Sequence, residues 1–83
     1  MKLAEVESRA RALFVEELAI EDSEVVADLG YGDIPEWDSI AHIHLVTAFE
    51  EAFEISLDDD EIAQLSPFSS IAPIIAGKLD SNE

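Results

Sequence analysis

Residues 37–55 read Trp37-Asp38-Ser39-Ile40 and then AHIHLVTAFEEAFEI. At the helical period His42, Leu45, Val46, Phe49, Ala52 and Phe53 fall on one face, which predicts an amphipathic helix over about 39–54. The opposite face carries Ile40, Ile43, His44, Thr47, Glu50, Glu51 and Glu54. Two isoleucines among acids, pointing away from the core, read as an interaction stripe, because exposed apolar patches rimmed by charge mark partner surfaces. Asp38 suits the N-cap, where its carboxylate accepts from the free N–H groups of the first turn. Ser39 then takes the first helical position, with its hydroxyl projecting into solvent.

The rest of the chain arranges itself around that helix. Leu3, Val6, Ala10, Leu13, Phe14 and Leu18 repeat at three and four residues and predict a helix over about 2–18. Its Glu5, Glu7, Glu16 and Glu17 face outward together with Arg9 and Arg11. Gly30, Gly32 and Pro35 punctuate a long loop over 19–38, with a short helical turn expected near Ser23 to Val26. The loop carries Ile20, Val25, Val26, Leu29, Ile34 and Trp37, so it should pack across the helix ends. Asp58 to Glu61 form the acidic first turn of a short helix over about 58–65, which Pro67 stops. Ser69 or Ser70 can cap a last helix over about 70–79, with Pro73 tolerated in its first turn. The expectation is a single all-α domain, a small four-helix bundle with three longer helices and one short one. Its core should contain Leu13, Phe14, Leu45, Phe49, Phe53 and Ile75.

Composition narrows the function. The chain has 83 residues and no cysteine, so apolar packing alone must hold it, without disulfides or thiolate metal sites. No apolar run is long enough for a membrane span, and the N-terminal stretch has acids where a secretory signal has an apolar block. The expected location is therefore cytoplasmic, and the expected state a monomer. The formal net charge is −16, and no Lys or Arg falls between Ala12 and Gly77. Such a surface repels a phosphate backbone, which argues against nucleic-acid binding. It favours encounter with basic patches on proteins, and it also keeps the chain soluble.

Asp38-Ser39-Ile40 opening an amphipathic helix, with Glu50-Glu51-Ala52-Phe53 further along, resembles the acyl carrier and peptidyl carrier proteins, and the pattern extends over nearly the whole chain. The resemblance implies that Ser39 carries a covalent 4′-phosphopantetheine with Asp38 flanking it. It also implies a non-enzymatic chain serviced by a phosphopantetheinyl transferase, an acyl or aminoacyl loading ligase and downstream transferases. Ile40, Ile43, His44, Thr47, Glu50, Glu51 and Glu54 become the partner surface. Many fatty-acid carriers join Asp-Leu-Gly directly to Ala-Asp-Ser. Here seven residues, Tyr31 to Trp37, separate Asp28-Leu29-Gly30 from Asp38-Ser39. Ala41 and His44 also stand where fatty-acid carriers often have acids. The Pro35-Glu36-Trp37-Asp38-Ser39 form is similar to specialised carriers of polyketide, aminoacyl and surface-polysaccharide contexts, and the missing acids argue against use by the general fatty-acid synthase.

The competing readings are simple. An aspartate–serine pair at a helix start is also ordinary capping chemistry, and a small acidic helical adaptor without a covalent group would show the same stripe. Asp38, Ser39 and His42 would need an oxyanion hole and a cleft to act as a hydrolytic triad. His42 lies on the core side, as a partly buried structural histidine would. His44 is about 200° away around the helix, so the two histidines cannot share a metal. The acidic run 58–61 lacks the spacing and glycine of a calcium loop.

Overall fold

A computed structural model describes residues 2–81. Its helices are α1 (Leu3–Leu18), α2 (Ser39–Phe53), α3 (Asp59–Ala63) and α4 (Ile71–Ser81), with short 3₁₀ turns at Asp22–Glu24 and Phe68–Ser70. There is no strand among the described residues. The protein is a small helical bundle with three long helices, in which α1 packs against both α2 and α4.

Both long N-terminal helices stop by the same device. Ala19 (φ 53°) and Glu54 (φ 55°) turn left-handed after α1 and α2. The next N–H then reaches back five residues, Ile20 to Val15 O at 3.2 Å and Ile55 to Glu50 O at 3.1 Å. Ile20 and Ile55 are both buried. Neither turn residue is glycine, so each costs about 1–2 kcal/mol of backbone strain, which burial of the following isoleucine offsets.

The core is aromatic at its centre. Trp37, Phe14 and Phe49 are fully buried with Leu45, Leu65, Ile71, Ile75 and Val6. The Phe14 ring meets Trp37 edge-on at 4.9 Å and Phe68 at 5.0 Å, the geometry aromatic quadrupoles prefer. Of the expected core, Leu13 is only partly buried, at the margin of the α1 stripe. Leu3 is exposed, because it lies nearly a turn before the first buried position, Val6.

The loop between α1 and α2 packs down as its apolar residues require. Ile20, Val25, Leu29 and Trp37 are buried and Ile34 partly so, whereas Val26 is exposed. The backbone is extended at Val25, so adjacent side chains point to opposite sides and Val26 faces out. The helical turn lies at Asp22–Glu24, where Glu21 and Glu24 cap each other, slightly earlier than expected. Loop carbonyls accept from the turn before α4, Leu29 O from Phe68 N–H at 2.8 Å and Ala27 O from Ser69 N–H at 2.9 Å. Gly32 adopts φ 85°, which a side chain would resist, and its N–H closes the turn onto Trp37 O.

Arg9 is exposed and Arg11 partly so, as their outward placement requires, and both also act as braces, as does Lys78. Arg11 bonds Asp22 at 2.6 Å and Val25 O at 3.0 Å, anchoring the loop to α1. Arg9 lies 5.0 Å from the Phe53 ring centre and donates to Ala52 O, joining α1 to the end of α2. Lys78 of α4 pairs with Glu61 of α3 at 2.8 Å. Helix α3 itself is shorter than the expected 58–65, and a reciprocal capping box of Asp58 and Glu61 starts it. The last helix follows a 3₁₀ turn, so it begins at Ile71, with Pro73 in its first turn.

Phe49→Ala should destabilise the fold by about 3–5 kcal/mol, because the ring is fully buried. A urea unfolding midpoint equal to the parent's would refute its place in the core. The acid limb of stability gives a second expectation. Glu61 is held below its ordinary pKa of 4.5, first by the Asp58 N–H and then by Lys78. Asp22 is held below 3.8 by the Arg11 hydrogen bond. A lowered carboxyl pKa stabilises the fold above the unfolded value, and the contribution vanishes as pH falls through the folded value. Glu61→Gln keeps the capping geometry and removes the charge, so it should destabilise at pH 7 and match the parent near pH 2. Urea midpoints at the two pH values check this, and an equal deficit at both would contradict it.

Candidate functional site

The start of α2 is built by Asp38. Its backbone is extended (φ −100°, ψ −175°), its Oδ1 accepts the Ala41 N–H at 2.9 Å, and its carbonyl accepts the His42 N–H at 2.9 Å. That cap leaves Ser39 as the first residue of the helix, exposed to solvent. Ile40 and Ile43, beyond it, are 65% and 63% exposed, so the phase read from sequence places both outside the core.

Behind Ser39 runs a short polar chain through the apolar interior. The buried Trp37 indole N–H donates to His42 Nδ1 at 3.0 Å. His42 Nε2 lies 2.9 Å from the Ile62 carbonyl oxygen. A carbonyl only accepts, so the proton belongs on Nε2 and the Nδ1 lone pair takes the indole; one neutral tautomer satisfies both bonds. The chain ties the end of the loop to α2 and α2 to α3. With both nitrogens committed, and Asp38 capping the helix, Asp38, Ser39 and His42 do not form a hydrolytic triad.

A groove of about 600 Å³ opens between the loop, α2 and α3, and Ser39 lies on its lining. Ile43, Ile62 and Ala63 make its apolar part, and Tyr31, His42, Asp59 and Ser66 its polar edge. The Tyr31 ring stands edge-on to His42 at 5.4 Å, and the Tyr31 N–H donates to Ser66 Oγ at 2.8 Å. Tyr31, Asp59, Ile62, Ala63 and Ser66 lie 20 or more residues from Ser39 or in an irregular loop, and no local pattern links them to it. The Trp37–His42 pair was the one available signal, since a buried indole needs an acceptor.

The remaining residues of the exposed face divide. His44, Thr47, Glu51 and Glu54 are exposed, and Thr47 donates to the Ile43 carbonyl at 3.2 Å. His44, Thr47 and Glu51 edge a second, shallower groove against Leu13 and Glu17 of α1. Glu50 is half-buried, and its carboxylate accepts the Leu57 N–H at 2.8 Å, so it shapes the turn after α2 as well as adding charge.

Ser39 is thus an exposed serine at the capped start of the central helix of the bundle. No protein-family model matches the chain. It is 34% identical over 71 residues to an acyl carrier protein of Akkermansia muciniphila, a match covering 86% of this chain and 85% of that protein. An acyl carrier protein of Petrotoga mobilis is 23% identical over 79 residues, covering 95% and 93% respectively. The chain belongs to the acyl carrier protein family, whose members are carriers rather than catalysts. No helix among the described residues is long and apolar enough to cross a membrane.

His42→Phe should keep the ring volume and strand both the Trp37 N–H and the Ile62 carbonyl. The expected cost is about 1–3 kcal/mol for each group left buried and unpaired. Urea unfolding followed by Trp37 fluorescence measures it, and an unchanged midpoint and emission maximum would show the chain of hydrogen bonds to be dispensable.

Proposed function

We propose that Ser39 is the attachment point of 4′-phosphopantetheine and that the chain, acting as a cytoplasmic monomer and a single carrier domain, holds acyl or aminoacyl groups for a biosynthetic pathway. The observation that carries this reading is the exposed Ser39 hydroxyl on a helix start that Asp38 caps. The residues fit the group. The first-turn N–H groups and dipole of α2 favour a phosphodiester at that place, and the adjoining groove leaves room for the arm. When bound, the arm supplies a terminal thiol on which cargo is held as a thioester.

A phosphopantetheinyl transferase must bring the base. His42 has both nitrogens engaged, so the Ser39 proton goes to the transferase as Oγ bonds to phosphorus. The phosphoanhydride of coenzyme A breaks in the same step, and adenosine 3′,5′-bisphosphate leaves. Partner enzymes, including a loading ligase and downstream transferases, dock on Ile40 and Ile43 beside His44, Thr47, Glu51 and Glu54. Glu50 adds charge there while holding the Leu57 N–H. An adaptor without a covalent group would use the same isoleucines, and it would gain no mass from coenzyme A.

Incubation with coenzyme A and a broad-specificity transferase should add one phosphopantetheine to the parent and none to Ser39→Ala. Circular dichroism of the two should match. Modification of the alanine variant, or none of the parent, would sink the assignment. Docking separates by kinetics: Ile43→Asp should raise the dissociation rate from the transferase about 10- to 150-fold, the equivalent of burying one isoleucine. Glu51→Lys should instead lower the association rate and its salt dependence. Unchanged kinetics in both variants would remove helix α2 as the docking face.

A further inference from the structure

Ala48 stands about 180° around α2 from Ser39. It belongs to a groove of about 480 Å³ between α1 and α2 that opens away from the serine. Half-buried Leu13, Ala48 and Ala52 make its floor, apolar and low because alanine adds so little to a helix surface. Exposed Glu17 rises beside it from α1 and exposed Glu51 from α2. Neither carboxylate has a hydrogen bond or ion pair with a described residue. Elsewhere a cation joins the acid of a neighbouring element, Arg11 to Asp22 and Lys78 to Glu61. This seam is lined by no lysine or arginine; Arg9 donates to Ala52 O without joining the lining, whose other titratable group is His44.

We infer that this groove seats an arginine-bearing amphipathic helix of a partner protein. It shares His44, Thr47 and Glu51 with the docking face proposed above and extends that face onto α1, so it rests on that reading for its place but not on the arm. Charge selects the occupant. A second copy of the chain would bring another formal charge of −16, and a nucleic acid its phosphates. A cationic helix brings the counter-charge that Glu17 and Glu51 lack.

Shape selects arginine over lysine. The aliphatic stem covers Leu13, Ala48 and Ala52 while the head stays at the rim with the acids. A planar guanidinium presents donors to both sides and stacks on a ring such as that of exposed His44, whereas an ammonium is a compact, strongly hydrated charge. A helix in this seat leaves Ser39, Ile40 and Ile43 uncovered, since none of them lines the groove. Exposed ion pairs are individually weak and screened by salt, so the apolar floor has to supply part of the hold.

The test titrates the apo chain with a synthetic amphipathic helix of leucine, alanine and arginine, and with its lysine twin. Amide resonances of Leu13, Glu17, Ala48 and Ala52 should move most, and the arginine peptide should bind more tightly. Glu17→Gln should weaken it about twofold to fivefold, with the larger effect at low salt. Ala48→Leu fills the floor and should abolish those shifts, while Ile43→Ala should leave the affinity unchanged; circular dichroism checks that each variant is folded. Shifts spread evenly over the acids of α1, α2 and α3, or an affinity that neither Glu17→Gln nor Ala48→Leu moves, would reduce the contact to general charge attraction and overturn the site. Loss of binding in Ile43→Ala would put the peptide on the other face and overturn it too, and equal affinity for the lysine twin would overturn the choice of arginine. Ser39→Ala should bind the peptide as the parent does, so the groove and the attachment stand or fall separately.

Discussion

A buried indole N–H needs an acceptor, and most of the geometry around Ser39 follows from how Trp37 finds one. The ring is fully enclosed, packed edge-on by Phe14, and it ends the loop directly before the helix cap. His42, one turn into α2, accepts the indole N–H at Nδ1 and passes the constraint to α3 by donating from Nε2 to Ile62 O. Three elements that share no regular hydrogen-bonding ladder are thereby held in register. Asp38 and Ser39 lie between the two ends of this link, so the Ser39 hydroxyl stands on a rigid support while its own surroundings stay open. Rigidity behind Ser39 and exposure in front of it suit the attachment role proposed for it.

Charge is organised around scarcity. With a formal net charge of −16, self-repulsion works against compaction, and Arg9, Arg11 and Lys78 are placed where they join elements. Arg11 fastens the loop to α1, Arg9 reaches the end of α2, and Lys78 fastens α3 to α4. Asp22 titrates lower as a consequence and Glu61 does so first through the Asp58 N–H and then through Lys78, while Arg11 and Lys78 are pushed up by their carboxylate partners. These pairs are exposed and individually weak. Their value is positional, since each joins segments that apolar contact alone would leave free to slide. The outward face of α2 carries acids with no cation among them. Such an acidic face beside two exposed isoleucines suits the docking role proposed for it, since charge steers basic partners and the isoleucines offer an apolar seat.

Much of this was legible in the chain. Periodicity alone marks the long helices, because side chains three and four apart share a face whatever else surrounds them. The same wheel places Leu45, Val46, Phe49 and Phe53 inside and Ile40 and Ile43 outside, as found. Asp38 as a cap follows from the chemistry of free N–H groups, whereas Asp58 to Glu61 read only as an acidic first turn and the structure shows the capping box. The alternation at Val25 and Val26 was missed, because a loop has no period until its backbone is known. The left-handed ends at Ala19 and Glu54 were also hidden. Glycine usually announces such a turn, and here burial of the following isoleucine imposes it instead.

By itself, the sequence determined an all-α bundle, an apolar stripe on each long helix, an acidic surface, and one serine at a capped helix start. Tertiary structure decided which distant groups meet. It paired Arg11 with Asp22 and Val25, Lys78 with Glu61, and Glu50 with the Leu57 N–H. It also brought Tyr31, Asp59, Ile62, Ala63 and Ser66 to the side of Ser39. The physical reason is range. Helical periodicity and capping act over three or four residues and are written locally, whereas a groove is assembled from segments whose separation in the chain carries no signal. The bonds from His42 to Ile62 O and from Tyr31 N–H to Ser66 Oγ help to set that distance.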